Sequence, residues 1–431
     1  MNCPVGGVPG PVRNRGTARG LRWDEGPVVL VDELGSGAGG RTLRTQVAIV
    51  GAGPAGLVLA AVLRQSGVDA LVLEQRARGD VEHQYRAGVI EHRVVEYLRD
   101  RGLAGRLLSE GARHGWCDVV VDGEPVRIDY GALTGVQHWI YPQHMLVQDL
   151  LAELDAAGRP PLFDSPVTEV DPGLDGPPRL RGPGFEVVAE HVVGCDGVQS
   201  AVLRSFPEQG EHRQHPYGWL TAIAELTAPV DGIRYAVHEC GFAAVMPRSG
   251  PLARLYLQVP AGEDPASWSH ERLLDQLELR LGADPGRPRV AEVLETDVLR
   301  LRSGIAPSFH YGRTLLAGDS AHVLTASGGK GMNLAIGDAA DLADSLVRHH
   351  RGDPSGLAGY DRRRRAHAAN TLAFSEEMLE LMHLSPAEDP AAQLRDRRER
   401  VERLAGTGPE AVRFAGQYVG AGQLPIGVPP A

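Results

Sequence analysis

No part of the chain constrains its fold more than TQVAIVGAGPAGLVLAAVLRQSGVDALVLE, Thr45–Glu74. An apolar run, Val47–Val50, enters Gly51-x-Gly53-x-x-Gly56. A helical pattern follows, and a second apolar run, Ala70–Leu73, ends at Glu74. Strand, glycine turn, helix, strand and acid in this order predict a dinucleotide-binding βαβ unit. Gly51 permits the tight turn, Gly53 lets the backbone approach a pyrophosphate, and Gly56, next to Ala55, lets the helix lie close to the strand. The helix start offers unpaired N–H groups and a partial positive charge to phosphate. Glu74 stands where an acid bonds a ribose hydroxyl.

At 431 residues the chain is too long for one compact core, so two domains are expected. Hydrophobic residues at 42% and charged residues at 23% fit a soluble globular enzyme. A formal net charge of −11 argues against general binding to nucleic acid or to an anionic membrane. Cys3, Cys117, Cys195 and Cys240 lack CxxC or CxxH spacing and read as reduced, buried thiols of a cytoplasmic protein with no metal site. Val47–Leu63 is broken by the GAGPAG turn and so reads as strand plus helix, not as a membrane span. Residues 1–44 are rich in Gly, Pro and Arg without a secretory pattern and are expected to be a disordered extension.

Along the chain, helical patterns fall at Ile90–Gly102, Leu103–Gly111 and Gln143–Ala157, and a hairpin at Cys117–Ile128 around Asp122-Gly123. Val187–Gly194 reads as a strand entering Cys195-Asp196-Gly197. Gly218–Leu226, Arg234–Met246 and Leu252–Pro260 alternate like antiparallel strands, with one face on a core and the other toward a ligand cavity. Ser267–Leu281 reads as helix and Thr314–Ala317 as a buried strand, with helices from Met332 onward. The expected class is α/β (α+β overall): a Rossmann-type domain in three pieces, an inserted antiparallel-sheet substrate domain and a helical C-terminal region. The pieces are 45–115, 141–205 and 301–350. A sheet or hairpin segment covers 116–140, the inserted domain 206–300 and the helical region 351–431.

Three nucleotide-type signals occur in order: the Gly51 loop, Gly194-Cys195-Asp196-Gly197, and LAGDSAH around Gly318-Asp319. With YRAGVIE, YPQHMLVQDLL, YGWL, LYLQVP, GGKGMNLA and QYVG, they make the chain from Thr45 to about Gly420 resemble the single-component FAD-dependent aromatic hydroxylases. Within these it is most similar to the 4-hydroxybenzoate 3-monooxygenases. The resemblance implies FAD as cofactor, NADPH or NADH as co-substrate, and O2 with a small aromatic acid as substrates. It implies ortho-hydroxylation through a flavin C4a-hydroperoxide, and a homodimer. Glu74 would then hold the adenosine ribose. Gln84, Arg86, Ala87, Gly88 and Gln143 would border FAD. Asp196 would serve FAD and nicotinamide, Gly318 and Asp319 the ribityl chain, and the backbone of Met332 and Asn333 the flavin edge. Arg302 would assist the nicotinamide. Arg248, after Met246 and Pro247, would pair with a substrate carboxylate beside Tyr256. Ala326 would offer its carbonyl to the substrate hydroxyl. Tyr235 and Tyr418 would relay the phenolic proton to His114 near the surface.

Two pocket positions depart from the family pattern. Met246 stands where a serine is usual, which costs roughly 1.5–3 kcal/mol if nothing replaces the lost hydroxyl contact. Thr325-Ala326-Ser327-Gly328 replaces a Pro-Pro-Thr-Gly loop, leaving the Ala326 carbonyl less rigidly set. These changes point to a substituted 4-hydroxybenzoate. Gln84 replaces a usual arginine, while Arg76 and Arg78 are placed to meet a 2′-phosphate, so the choice of nicotinamide stays open. Alternatives from the same residues are oxidative decarboxylation on the same fold, an NAD-dependent dehydrogenase, and a non-catalytic nucleotide-binding module.

Overall fold

A computed structural model describes residues 41–86, 88–248, 250–282, 289–385 and 387–421. Ala87 and residues 1–40 of the expected extension lie outside them. Strand β1 (Arg41–Val50) turns into helix α1 (Pro54–Gln65) and returns as β2 (Ala70–Leu73). Then come α2 (Arg78–Glu82), β3 (Val89–Ile90), α3 (His92–Asp100), α4 (Gly105–Glu110) and β4 (Ala112–His114). The hairpin β5 (Cys117–Val121) and β6 (Glu124–Ile128) leads to α5 (Tyr130–Thr134), β7 (His138–Ile140) and α6 (Gln143–Ala156). Next are β8 (Glu169–Asp171), β9 (Arg179–Gly182), β10 (Phe185–Gly194), β11 (Arg213–Leu226), β12 (Ile233–His238), β13 (Gly241–Pro247) and β14 (Leu252–Pro260). Helix α7 (His270–Leu281) precedes β15 (Val290–Ile305), β16 (His310–Tyr311), β17 (Thr314–Leu316) and β18 (His322–Val323). Helices α8 (Gly331–His350), α9 (Ser355–Met382), α10 (Pro390–Ala405) and α11 (Pro409–Val419) follow.

The first sheet runs β16-β17-β10-β1-β2, with β9 and β8 beyond β10. Its central pairs, β1 with β2 and with β10, and β10 with β17, are parallel. Both faces are covered, so Val47–Val50 is a continuous apolar run and every residue from Ala55 to Leu63 of α1 is buried. The second sheet runs β18-β15-β11-β14-β13-β12-β5-β6, and β3-β7-β4 forms a small third sheet. The expected mixed α/β class with a helical C-terminal region is present, and four local expectations are not met. Arg41–Arg44 pair with Phe185–Val188, so the strand starts inside the expected extension. Arg234–Met246 is not one strand but the hairpin β12–β13, because the chain reverses between His238 and Gly241 (φ +109°). Strand β15 crosses the expected boundary at residue 300: it pairs with β11 and ends on β18, where Gly304 meets Val323. Cys240, expected buried, is exposed. Among the described residues, no helix is long and apolar enough to cross a membrane.

The three glycines of the first turn divide their roles as the motif requires. Gly51 has φ +106°, and a Cβ there would lie 2.3 Å from the Cys195 carbonyl oxygen. A Cβ at Gly56 would lie 2.1 Å from the Gly51 carbonyl oxygen, so this glycine sets how closely α1 meets β1. A Cβ at Gly53 would meet nothing within 4 Å. Gly56→Ala is therefore expected to lose about 1–3 kcal/mol by overpacking, seen as a lower urea midpoint at unchanged slope. Gly53→Ala should leave that midpoint almost unmoved while weakening retention of the nucleotide.

Candidate active site

The carboxyl ends of β1, β10 and β17 meet at one edge of the parallel sheet. Helix α1 starts there with Pro54 at its first turn, no side-chain cap and no acid in that turn, leaving its first N–H groups to an anion. Glu74 is buried at the end of β2. Its Oε2 accepts the Ala52 N–H at 2.8 Å, and its Oε1 accepts the Arg76 backbone N–H and Nε. A carboxylate retains lone pairs for a ribose hydroxyl after these bonds. Arg76 also donates to Gln84 at 3.0 Å, and Arg78 is bonded to Glu82 and Asp155, so both arginines offered for a 2′-phosphate are already paired.

Asp319 follows β17 in the GD turn, with the Arg86 guanidinium 3.6 Å away. The turn is held from below. Asp338 of α8 accepts the Gly318 N–H at 3.0 Å, His322 Nε2 at 2.5 Å and Arg364 Nε at 2.7 Å. Burial opposes the Asp338 charge, but Arg364 and His322 outweigh it and hold the carboxyl down at about 2. Asp196 behaves differently from expectation: its carboxylate accepts from Ser200 Oγ and from the Ala201 and Val202 N–H groups, so it braces the turn after β10. Burial raises its pKa despite these bonds. The Asn333 side chain is likewise structural, joining Glu91, Val89 and Gly329 and leaving the start of α8 to present backbone. Met332 is half-buried in that first turn. Gln143 opens α6, and Arg302 lies on β15 near His212, whose pKa is lowered by burial and then by Arg302.

Between the small third sheet and the second sheet lies a small cavity of about 20 Å³ lined by Gly88, Val89, Ile140, Ile233, Met246, Pro247, Arg248, Arg254 and Tyr256. It brings together the expected pocket residues of β13 and β14. Arg248 Nη2 donates to the Arg86 carbonyl at 2.9 Å, joining the pocket to the loop that meets Asp319. Burial, then the neighbouring Arg254, lowers the Arg248 pKa. Arg254 was not anticipated. It sits two residues before Tyr256, hence on the same strand face, and its buried Nε has no hydrogen-bond partner among the described residues. The loop bearing Ala326 is not loosened by the missing prolines. Thr325 Oγ1 meets Ser327 Oγ at 2.5 Å and Ser375 Oγ at 2.6 Å, and Ser327 Oγ donates to the Ser375 carbonyl.

Tyr235 and Tyr418 meet hydroxyl to hydroxyl at 2.9 Å, both buried. Tyr235 shares a face of β12 with Ile233 of the cavity wall. Tyr418 belongs to the last turn of α11 rather than to a loop. Burial pushes both phenols up. His114 is buried, not near the surface: Nδ1 lies 2.6 Å from Tyr130 Oη, and Nε2 accepts the Ile233 N–H at 3.2 Å. The Tyr418 carbonyl accepts from Lys330 Nζ at 2.6 Å and pairs with His138 Nε2 at 2.9 Å. Lys330 is bonded to Glu91 at 2.7 Å, and Arg93 holds the other Glu91 oxygen at the same distance. Sequence reasoning quoted the motifs containing Glu91 and Lys330 without singling either out. Tyr130, between the Cys117–Ile128 hairpin and the Gln143–Ala157 helix, was not singled out.

A depressed carboxyl stabilises the fold fully above its unfolded pKa, and that stability is lost as pH falls toward its folded one. For Asp338 the window runs from 3.8 down to about 2 and holds on the order of 2 kcal/mol. Asp338→Asn should flatten the acid limb of the stability–pH curve there, measured by thermal unfolding, and loosen the GD turn.

The observations fit FAD: open space at Gly53, an uncapped helix start, Glu74 at the ribose position and the Arg86–Asp319 pair at the next. Residues 44–375 match the FAD binding domain family model. The chain is 30% identical to the p-hydroxybenzoate hydroxylase of Acinetobacter baylyi over 352 residues, 80% of this chain and 87% of that one. It is also 30% identical to a rifampicin monooxygenase of Streptomyces venezuelae, over 81% of this chain and 74% of that one. In structure it is similar to the OxyS anhydrotetracycline hydroxylase of Streptomyces rimosus (TM-score 0.70, 27% identity, 88% of this chain and 76% of that one). Its fold also matches aklavinone-11 hydroxylase solved with FAD and aklavinone (TM-score 0.68, 24% identity, 79% and 69% covered). This chain belongs to the FAD-dependent aromatic hydroxylases, flavoprotein monooxygenases whose cofactor is FAD.

Proposed function

We propose that the chain hydroxylates a 4-hydroxybenzoate-type phenolic acid beside its hydroxyl, using NADPH or NADH and O2. One observation carries this reading: a cavity walled by Arg248 and Tyr256 sits against the strand that bears buried Tyr235, whose hydroxyl meets that of Tyr418 on α11. A carboxylate at one end and a phenol at the other suit such a slot. The relative from Acinetobacter baylyi, a p-hydroxybenzoate hydroxylase by name, supports the substrate class.

Bound FAD supplies hydride acceptance and oxygen activation; the chain's own residues do the rest. Arg248 pairs with the carboxylate, and the neighbouring Arg254 adds positive potential. Tyr256 contributes a hydroxyl. Tyr235, backed by Tyr418, bonds the phenol oxygen and favours its anionic character, which makes the ortho carbon nucleophilic. The uncapped start of α8 stabilises negative charge at the cofactor edge. Val89, Ile140, Ile233 and Met246 keep the remaining wall apolar and exclude water. Met246 in place of a hydroxyl, with Arg254 alongside, favours a ring-substituted acid over the parent compound.

The test is substrate-stimulated NAD(P)H oxidation across a panel of substituted 4-hydroxybenzoates, with product mass and H2O2 read together. A ring-substituted acid is expected to give a product heavier by one oxygen with little H2O2. No oxygen incorporation into any member would refute the reading, and loss of carbon dioxide would replace it by oxidative decarboxylation. Arg248→Ala should raise KM by about 10²-fold or more, because a buried charged contact is lost. Tyr418→Phe should lower kcat by about 10²–10⁴-fold with KM little changed.

A further inference from the structure

We propose that a cavity on the reverse face of the second sheet is a further ligand site, for a monocarboxylate with a short aliphatic tail, and that its occupant opposes binding of the phenolic acid. The inference rests on the functional reading above for the substrate that is opposed.

The cavity lies between α7 and the strands β13, β14 and β15 and holds about 210 Å³. Val245 and Leu255 come from the sheet, Leu274, Leu277 and Leu281 from α7, and Val290 from the start of β15. All six belong to, or pack on, one apolar cluster. A cavity of about 150 Å³ with such a lining takes up benzene, so this one has room for a larger guest. The polar members of the lining, Glu278 and Arg289, are both exposed. Glu278 is already engaged in a polar interaction. The Arg289 carbonyl accepts the Thr227 N–H at 2.8 Å, which anchors its backbone at the cavity edge. Its guanidinium has no hydrogen bond or ion pair among the described residues. An apolar interior with an uncommitted cation at its rim fits an apolar body that carries a single negative end.

The two cavities share a wall. Side chains alternate across a strand, so on β13 Val245 lines the reverse cavity and Met246 the catalytic one. On β14 Leu255 lines the reverse cavity, and Arg254 and Tyr256 line the catalytic one. Val245 pairs with Leu255, and Met246 with Arg254, on adjacent rungs of one ladder. The catalytic cavity, at about 20 Å³, must widen to receive an aromatic ring. Its opposite wall is held in place, since the Val89 carbonyl accepts from Asn333 of α8 at 2.9 Å. A close-packed interior resists displacement. The void behind Val245 and Leu255 gives β13 and β14 room to yield, and a guest lodged there removes that room.

The test uses the FAD-loaded full chain with octanoate as the probe. Saturation-transfer NMR should show octanoate binding with a Kd of about 1 mM or tighter. Arg248→Ala should keep that binding, because Arg248 lines only the catalytic cavity. Leu274→Trp puts an indole into the void; it should abolish octanoate binding and raise KM for the phenolic acid on its own. Arg289→Glu, at an exposed position, should weaken octanoate by about fivefold. In the wild type, octanoate should raise KM by about fivefold or more, and saturating phenolic acid should weaken octanoate by the same factor. The rise in KM should level off, because both ligands can be bound together; direct competition would give a rise without limit. Absence of saturable octanoate binding, binding lost in Arg248→Ala but kept in Leu274→Trp, an unchanged KM, or an unlimited rise would each overturn the proposal. If Leu274→Trp does not fold, Arg289→Glu and the levelling of KM in the wild type decide. Absence of oxygen incorporation in the wild type would sink the functional reading, and the octanoate titrations of the wild type and Arg289→Glu would still decide the site.

Discussion

Lys330 carries a positive charge into a place without water, and Glu91 makes that position tolerable. The pair, 2.7 Å apart and almost fully buried, joins segments far apart in sequence: the turn before α3, the entry to α8 and, through the Tyr418 carbonyl, the end of α11. Burying two charges is costly, and an apolar pair of similar volume would often be as stable. What this pair adds is placement. The start of α8 and the helix end that carries Tyr418 are set relative to one another by a single ammonium group. Breaking it from either side would leave an uncompensated charge in the interior. Lys330 also lies at the C-terminal end of α11, where a cation complements the helix dipole.

A second constraint is that the two halves of the site share residues. Arg248, just after β13, reaches the Arg86 carbonyl, and Arg86 approaches Asp319 of the GD turn. The Arg248 end of the cavity and the GD turn are therefore linked through one loop. Asp338 and Arg364 support that turn from the core, so its shape does not depend on any ligand.

Much of the first layer was legible because its signals are contiguous. Gly51, Gly53, Gly56 and Glu74 fall within one βαβ unit, and a glycine's role there is set by local backbone geometry. Arg248 and Tyr256 were reached through resemblance, and both line one cavity. What was not legible depends on partners distant in sequence. The Ile233 N–H that bonds His114 Nε2 comes from 119 residues away. The hydroxyl cluster that pins the Ala326 loop comes from Ser375, about 50 residues away, so the loss of prolines was misread as a loss of rigidity. The β12–β13 hairpin was missed because its turn, Glu239-Cys240, carries no Asn-Gly or Asp-Gly signal. Strand β15 was missed because irregularities in its register with β11 break the period-two pattern that marks a strand.

That same strand limits how the molecule can breathe. β15 leaves the substrate sheet and ends paired to the segment just after the GD turn, while Ser303 near its end is bonded to Glu376 of α9. Sliding one layer past the other would break its ladder residue by residue. The two sheets are therefore tied covalently and by hydrogen bonds through one continuous strand.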